Sequence, residues 1–166
     1  QCIRPIYNDE DLYTIKTKVT YSANATDDDK AKLVIRAAIK ARKDYKGSGS
    51  PIMFTTEDML TNMLLMTDTT GRDLYESEEK LARKLRVSRI VTVPVMENLT
   101  GKLGGNLVAI IVNMKDYTFG ADKGGEVNMF DDFDIDYNQQ KYLIETRCSG
   151  SLNKPYSAIA IEMAQA

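Results

Sequence analysis

Larger and polar side chains alternate through Tyr13, Ile15, Thr17, Val19 and Tyr21. A period of two predicts a strand, because successive residues of an extended chain face opposite ways. The pattern changes at residue 26. In TDDDKAKLVIRAAIKARKDYKG, Leu33, Val34, Ala37, Ala38 and Ala41 share one helical face, and Lys32, Arg36, Lys40 and Lys43 share the other. Thr26 or Asp27 can cap this helix, and Asp28 and Asp29 sit in its electropositive first turn. Arg42, Lys43 and Lys46 crowd its electronegative end, and Gly47 can stop it. The basic stripe reads as a solvated face. GSGSP is a short connector, and FTTEDMLTNMLLM then predicts a second helix with Thr55 as cap and Asp58 in a capping-box position. Its buried stripe is Met59, Leu60, Met63 and Leu64. TDTTGRDLY reads as a tight turn in which Asp68 takes the first place and Gly71 the fourth. A third helix opens at Ser77 and buries Leu81, Ala82 and Leu85.

From Ile90 the chain turns to strands. IVTVPV carries Pro94, which has no N–H to give a sheet and so places this strand at an edge or an end. NLVAIIVN is apolar without a break, the mark of a strand covered on both faces. Short strands and turns fill Asp116 to Ala166. Helices first and strands later make the fold class α+β.

A chain of 166 residues suits one ordinary domain, or two lobes that share a core. Hydrophobic residues at 43% and charged residues at 28% are globular proportions. With 22 basic and 24 acidic side chains, no whole-molecule field points to nucleic acid or to a membrane surface. Histidine is absent, which removes imidazole bases, Ser-His-Asp triads and His-ligated metals. Two cysteines, Cys2 and Cys148, are too few for a thiolate zinc site, and two free thiols are expected rather than a disulfide. No apolar run approaches the ~18 residues of a membrane span, and no signal-peptide pattern opens the chain. It begins at Gln1, and we read it as a fragment or a processed product.

Four motifs invite chemistry. MENLTGKLGG fails as a phosphate loop, because Met96 stands where a glycine is needed and Leu103 where a hydroxyl is needed. It reads as a glycine-rich turn between strands. Asn24 and Asn98 head glycosylation sequons without a secretory context. Glu78–Glu79 and Asp131–Asp132 are sequence neighbours, which point apart in a helix or strand and do not make a dyad. DIDYNQQKYLIE spaces Asp134, Asp136, Asn138 and Glu145 like calcium ligands, but Gln139 replaces the required glycine. Phe133, Ile135 and Tyr137 alternate with Asp132, Asp134 and Asp136, and alternation resumes after NQQ. The stretch therefore reads as a half-buried strand, a short polar break and a second strand, with the carboxylates on the outer face.

The last third, NMFDDFDIDYNQQKYLIETRCSGSLNKPYSAIAIE, resembles the carboxyl-terminal part of tailed-bacteriophage major capsid proteins. FTTEDMLTNMLLMTDTTGRDLY resembles that family's helix and D-x-x-G-R turn (Asp68, Gly71, Arg72), and LRVSRIVTVPVME the strand that follows. The resemblance runs from about Phe54 to Glu162 and implies the Hong Kong 97-like fold. By it, residues 26–115 form an axial lobe, and residues 1–25 and 116–166 belong to a peripheral lobe. The family's amino-terminal arm, extended loop and spine helix find no room in this chain.

The function so implied is structural: a head protein of a tailed phage or prophage that self-assembles into an icosahedral shell. Its partners are copies of itself in pentamers and hexamers, with a scaffolding protein and a portal. It reads no nucleic-acid sequence, enters no membrane, and uses no catalytic residue, metal or cofactor. Its place is the virion, and the bacterial host cytoplasm before assembly. A nanocompartment shell protein of the same fold, and a small α+β enzyme or ligand-binding domain with a carboxylate-lined site, are the rival readings. Asp132, Asp134, Asp136, Glu145 and Arg147 are the candidate subunit-interface residues.

Overall fold

The computed structural model describes residue 6 and residues 12–68, 70–121, 128–134, 137, 139–145 and 147–166. Strand β1 (Thr14–Tyr21) is followed by helix α1 (Asp27–Ala41), strand β2 (Ile52–Thr55), and helices α2 (Glu57–Leu64) and α3 (Glu78–Leu85). Strands β3 (Ile90–Thr92), β4 (Asn106–Val112), β5 (Tyr117–Ala121), β6 (Asn128–Asp134), β7 (Gln139–Glu145), β8 (Cys148–Leu152) and β9 (Ala158–Gln165) complete the chain. Five of them form one sheet in the order β1-β9-β4-β2-β3. The outer pairs β1/β9 and β2/β3 are parallel, while β4 runs antiparallel to both β2 and β9.

The helices start where the sequence caps them. The Thr26 hydroxyl accepts from the Asp29 N–H, and the Asp29 carboxylate accepts in return from the Thr26 N–H and hydroxyl. Those two bonds hold the Asp29 carboxyl below its ordinary value. Their contribution to folding stands at neutral pH and is lost as pH falls through the lowered folded value. Thr26→Ala is expected to cost about 1 kcal/mol, a fall in melting temperature of roughly 2–4 °C by thermal unfolding. Helix α1 ends at Ala41, with Arg42 as its last cap, short of the glycine stop expected at Gly47.

At the second helix the structure moves the expected cap by one residue. Thr56 caps α2 by accepting from the Met59 N–H, and Thr55 ends strand β2, its buried hydroxyl donating to the Val108 carbonyl. Four residues were too few to show their period beside a helix signal, so β2 is invisible in the pattern. Helix α3 is capped by Ser77 and buries Leu81, Ala82 and Leu85 as expected. The Asp68 carbonyl accepts from the Gly71 N–H, and Gly71 takes φ 75°, closing the anticipated turn.

Strand β4 is buried from Leu107 to Val112. Val108, Ala109 and Ile111 join the helix-side core with Ile159, Ile161 and Met163 of β9, while Leu107, Ile110 and Val112 join Ala158, Ala160 and Met96 on the other face. A bulge between Leu107 and Ala109 puts two successive residues on the helix side. Strand β3 lies at the sheet edge and ends at Thr92, so Pro94 stands just past the strand, where it opens a short 3-10 helix (Pro94–Asn98).

The reading that separates 26–115 from 1–25 and 116–166 meets a sheet that crosses both boundaries. Strands β1 and β9 pair with each other, and β9 pairs with β4, so the first and last described strands belong to the central sheet. The two other ladders, β5/β8 and β6/β7, lie in sequence between β4 and β9.

Candidate subunit interface

Between Asn113 and Asn153 the chain leaves the central sheet and comes back. At the root of this excursion Asp116 is buried and takes two hydrogen bonds of 2.6 Å, from the Ser48 N–H and the Ser48 hydroxyl. Asn113 donates its side-chain amide to the Ser48 carbonyl, Lys154 donates to the Ser48 hydroxyl at 3.2 Å, and the Asn153 N–H donates to the Asp116 carbonyl at 2.9 Å. The GSGSP connector is thus a clamp for both strands that emerge. Nothing in its composition announces this, because Ser48 works as much through its backbone N–H and carbonyl as through its hydroxyl.

Strands β5 and β8 then pair antiparallel, from Tyr117↔Leu152 to Ala121↔Cys148. A side chain at Gly150 would overlap the Tyr117 hydroxyl, so a glycine lets that ring lie across the ladder. Gly150→Val is expected to displace Tyr117 and destabilise by about 1–3 kcal/mol in urea unfolding.

Beyond them β6 and β7 form an antiparallel ladder from Asn128↔Glu145 to Asp134↔Gln139. The strand, break and strand read from DIDYNQQKYLIE are this ladder. Asp134 and Glu145 stand at its opposite ends, roughly 20 Å apart at about 3.4 Å per residue. The calcium spacing therefore does not become one site.

Of the candidate interface residues, Asp132 stands opposite Lys141, Asp134 opposite Gln139 and Glu145 opposite Asn128. The structure describes the backbones of these three and not their side chains. Arg147 is exposed just after β7, and Asp136 lies outside the described residues, as does Cys2. By register the set is spread along the ladder.

The half-buried expectation for this strand is corrected at its apolar face. Met129, Phe133, Tyr137 and Tyr142 are 64%, 54%, 74% and 60% exposed, and Asp131 is exposed among them. In the ladder Met129, Asp131 and Phe133 face the same way as Tyr142, the partner of Asp131. Alternation predicts which residues share a face. It does not say whether another layer of the same chain covers that face. Two strands alone bury too little to be stable in water without such a cover.

Among the described residues, no group of three or more His, Cys, Asp or Glu is placed to hold a metal ion, and no helix is long and apolar enough to cross a membrane.

No family model and no curated protein matches the sequence. Solved structures match nearly all of its length. A virus-like particle from Pyrococcus furiosus superposes on 96% of this chain with a TM-score of 0.61 and 14% identity. The fold is that of capsid chains. The capsid of an empty GTA particle matches 92% of this chain (TM-score 0.59, 13% identity), and the mature capsid of bacteriophage PhiM1 matches 90% (TM-score 0.54, 14% identity). This chain spans 60%, 50% and 51% of those three chains. The α+β class and the likeness to phage capsid chains expected from the sequence are both borne out.

Proposed function

We propose that this chain is part of a shell subunit, the head protein of a tailed phage or prophage, and that it works by self-association rather than catalysis. The observation that carries this reading is the continuous likeness to capsid folds over nine-tenths or more of the chain. Repetition by symmetry suits a protein of this kind, because many modest contacts add up to a closed assembly. The near balance of 22 basic and 24 acidic residues fits a wall that encloses nucleic acid without gripping its sequence. On this reading the partners are further copies, with scaffolding and portal proteins during assembly. The site of action is the virion, reached from the host cytoplasm. A nanocompartment shell would use the same fold, and no observation favours it.

The central sheet with α1 to α3 is assigned to the axial lobe, which takes β1 and β9 along with residues 26–115. The excursion from β5 to β8 is assigned to the peripheral side. The continuity of the sheet across residues 25 and 116 supports this division. The exposed row Met129, Phe133, Tyr137 and Tyr142 is assigned to subunit contact, together with the acidic positions Asp132, Asp134, Asp136 and Glu145 and the exposed Arg147.

Replacing Phe133 and Tyr142 by serine tests this assignment. Sedimentation velocity on concentrated protein is expected to show weaker self-association, while the unfolding free energy changes by no more than about 0.5 kcal/mol. A loss of stability of several kcal/mol instead, with association unchanged, would mean that the two rings serve this chain's own fold.

A further inference from the structure

Strand β1 ends the central sheet, and among the described residues it pairs along Thr14–Tyr21 with β9 alone. Among the described residues no strand pairs with its outer backbone edge, and such an edge is the usual template for an added strand. Beside that edge, between β1 and α1, runs a groove of about 590 Å³. Ile15, Leu33, Ala37 and Ala41 give it an apolar lining, and Arg36 and Lys40 stand exposed along it. The Arg36 and Lys40 side chains have no charged partner among the described residues, and Lys43 reaches only Asp44, at 4.0 Å. The basic stripe, read from the sequence as a solvated face, thus borders an open edge and an apolar trough.

The β6–β7 ladder has the complementary character. Residues 128–147 carry five carboxylates against Lys141 and Arg147, and its exposed face joins Asp131 to Met129, Phe133 and Tyr142. Each of its strands pairs only with the other among the described residues, so it also offers open edges. The exposure of these aromatic residues, and of Arg36 and Lys40, shows that the two surfaces do not cover each other within one chain.

We propose that the groove between β1 and α1 of one copy receives the acidic-aromatic β6–β7 hairpin of a second copy. The proposal rests on the self-association reading and names the surfaces that meet. Apolar rings enter the trough, carboxylates meet the basic rim, and a hairpin strand continues the sheet past β1. Lys16 and Lys18 on β1 disfavour pairing of that edge with another β1 and favour an acidic strand. Because the groove and the hairpin are different surfaces, the contact is head to tail, and a suitable rotation closes it into a ring.

The test mixes nitrogen-14 and nitrogen-15 copies of the chain at up to millimolar concentration and couples carboxylates to amines with a zero-length carbodiimide. Mass spectrometry is expected to find mixed-isotope links from Asp131 or Asp132 to Lys40 or Lys43. Lys40→Glu with Lys43→Glu should weaken association roughly tenfold or more, and Asp131→Lys should do the same. Mixing those two variants should restore binding between them. Circular dichroism checks that the variants, all changed at the surface, remain folded. Copies that associate with links elsewhere, indifferent to the charge swap, overturn the pairing and leave the shell reading in place. No links between copies also overturns the pairing, and the shell reading is then judged separately by particle formation when these residues are expressed with whatever sequence flanks them in the gene.

Discussion

Glu162→Ala is expected to destabilise the fold by about 3 kcal/mol or more, lowering the melting temperature by roughly 6–12 °C. Glu162 lies on β9, on the face it shares with Ala158 and Ala160, and is fully buried at 0% exposure. Its carboxylate accepts from the Leu103 N–H at 2.9 Å and from the Gly105 N–H at 3.2 Å. Both donors belong to the glycine-rich turn between β3 and β4. Alanine would leave the buried Gly105 N–H facing a cavity and the part-buried Leu103 N–H without its acceptor, and a buried donor without an acceptor costs far more than an average hydrogen bond contributes. The glycines fit the same reading. A side chain at Gly101 would overlap the Glu162 carboxyl group, and one at Gly105 would stand 2.9 Å from the Met163 carbonyl. Glu162→Gln, which keeps an acceptor oxygen, should cost less than alanine. Gly101→Ala should be harmful in the native chain and much less so in the Glu162→Ala background, because the clash is with the missing side chain. Thermal unfolding of the four proteins checks the set, and an unchanged midpoint for Glu162→Ala would refute it.

The second large effect is expected at Asp116. Asp116→Ala removes both 2.6 Å bonds to Ser48 and should cost about 2–3 kcal/mol, since bonds to a charged acceptor are the stronger kind. The local consequence separates this change from ordinary core damage. The strands from β5 to β8 spring from this clamp, so limited proteolysis should cut within 117–152 sooner than it cuts α1 or β4. Ser48→Ala should be milder, because its N–H still reaches Asp116. Uniform proteolysis across the chain would show that the clamp does not set the position of the excursion.

The helices and the buried strand were legible because their signals are local. Thr26 and Ser77 cap within three residues, and the unbroken run from Leu107 to Val112 can be satisfied only by cover on both faces. The D-x-x-G-R turn was legible because Gly71 needs the conformation it takes. The contacts that hold the excursion and the glycine-rich turn were not, because they join distant parts of the chain. Ser48 and Asp116 lie 68 positions apart, and Leu103 and Glu162 lie 59 apart. Phe133 and Tyr137 read as part of one apolar face, and the sequence holds no sign that both stand exposed. Pairing of β1 with β9 likewise joins strands from opposite ends of the sequence.

Particle formation is the most direct measure of the shell reading. The gene segment that encodes these residues should be expressed with its natural flanking sequence and examined by negative-stain and cryo-electron microscopy. A shell subunit yields rings, sheets or closed particles whose wall accommodates the five-stranded sheet and its helices. A product that remains a stable monomer at every concentration, salt and pH tried would contradict that function.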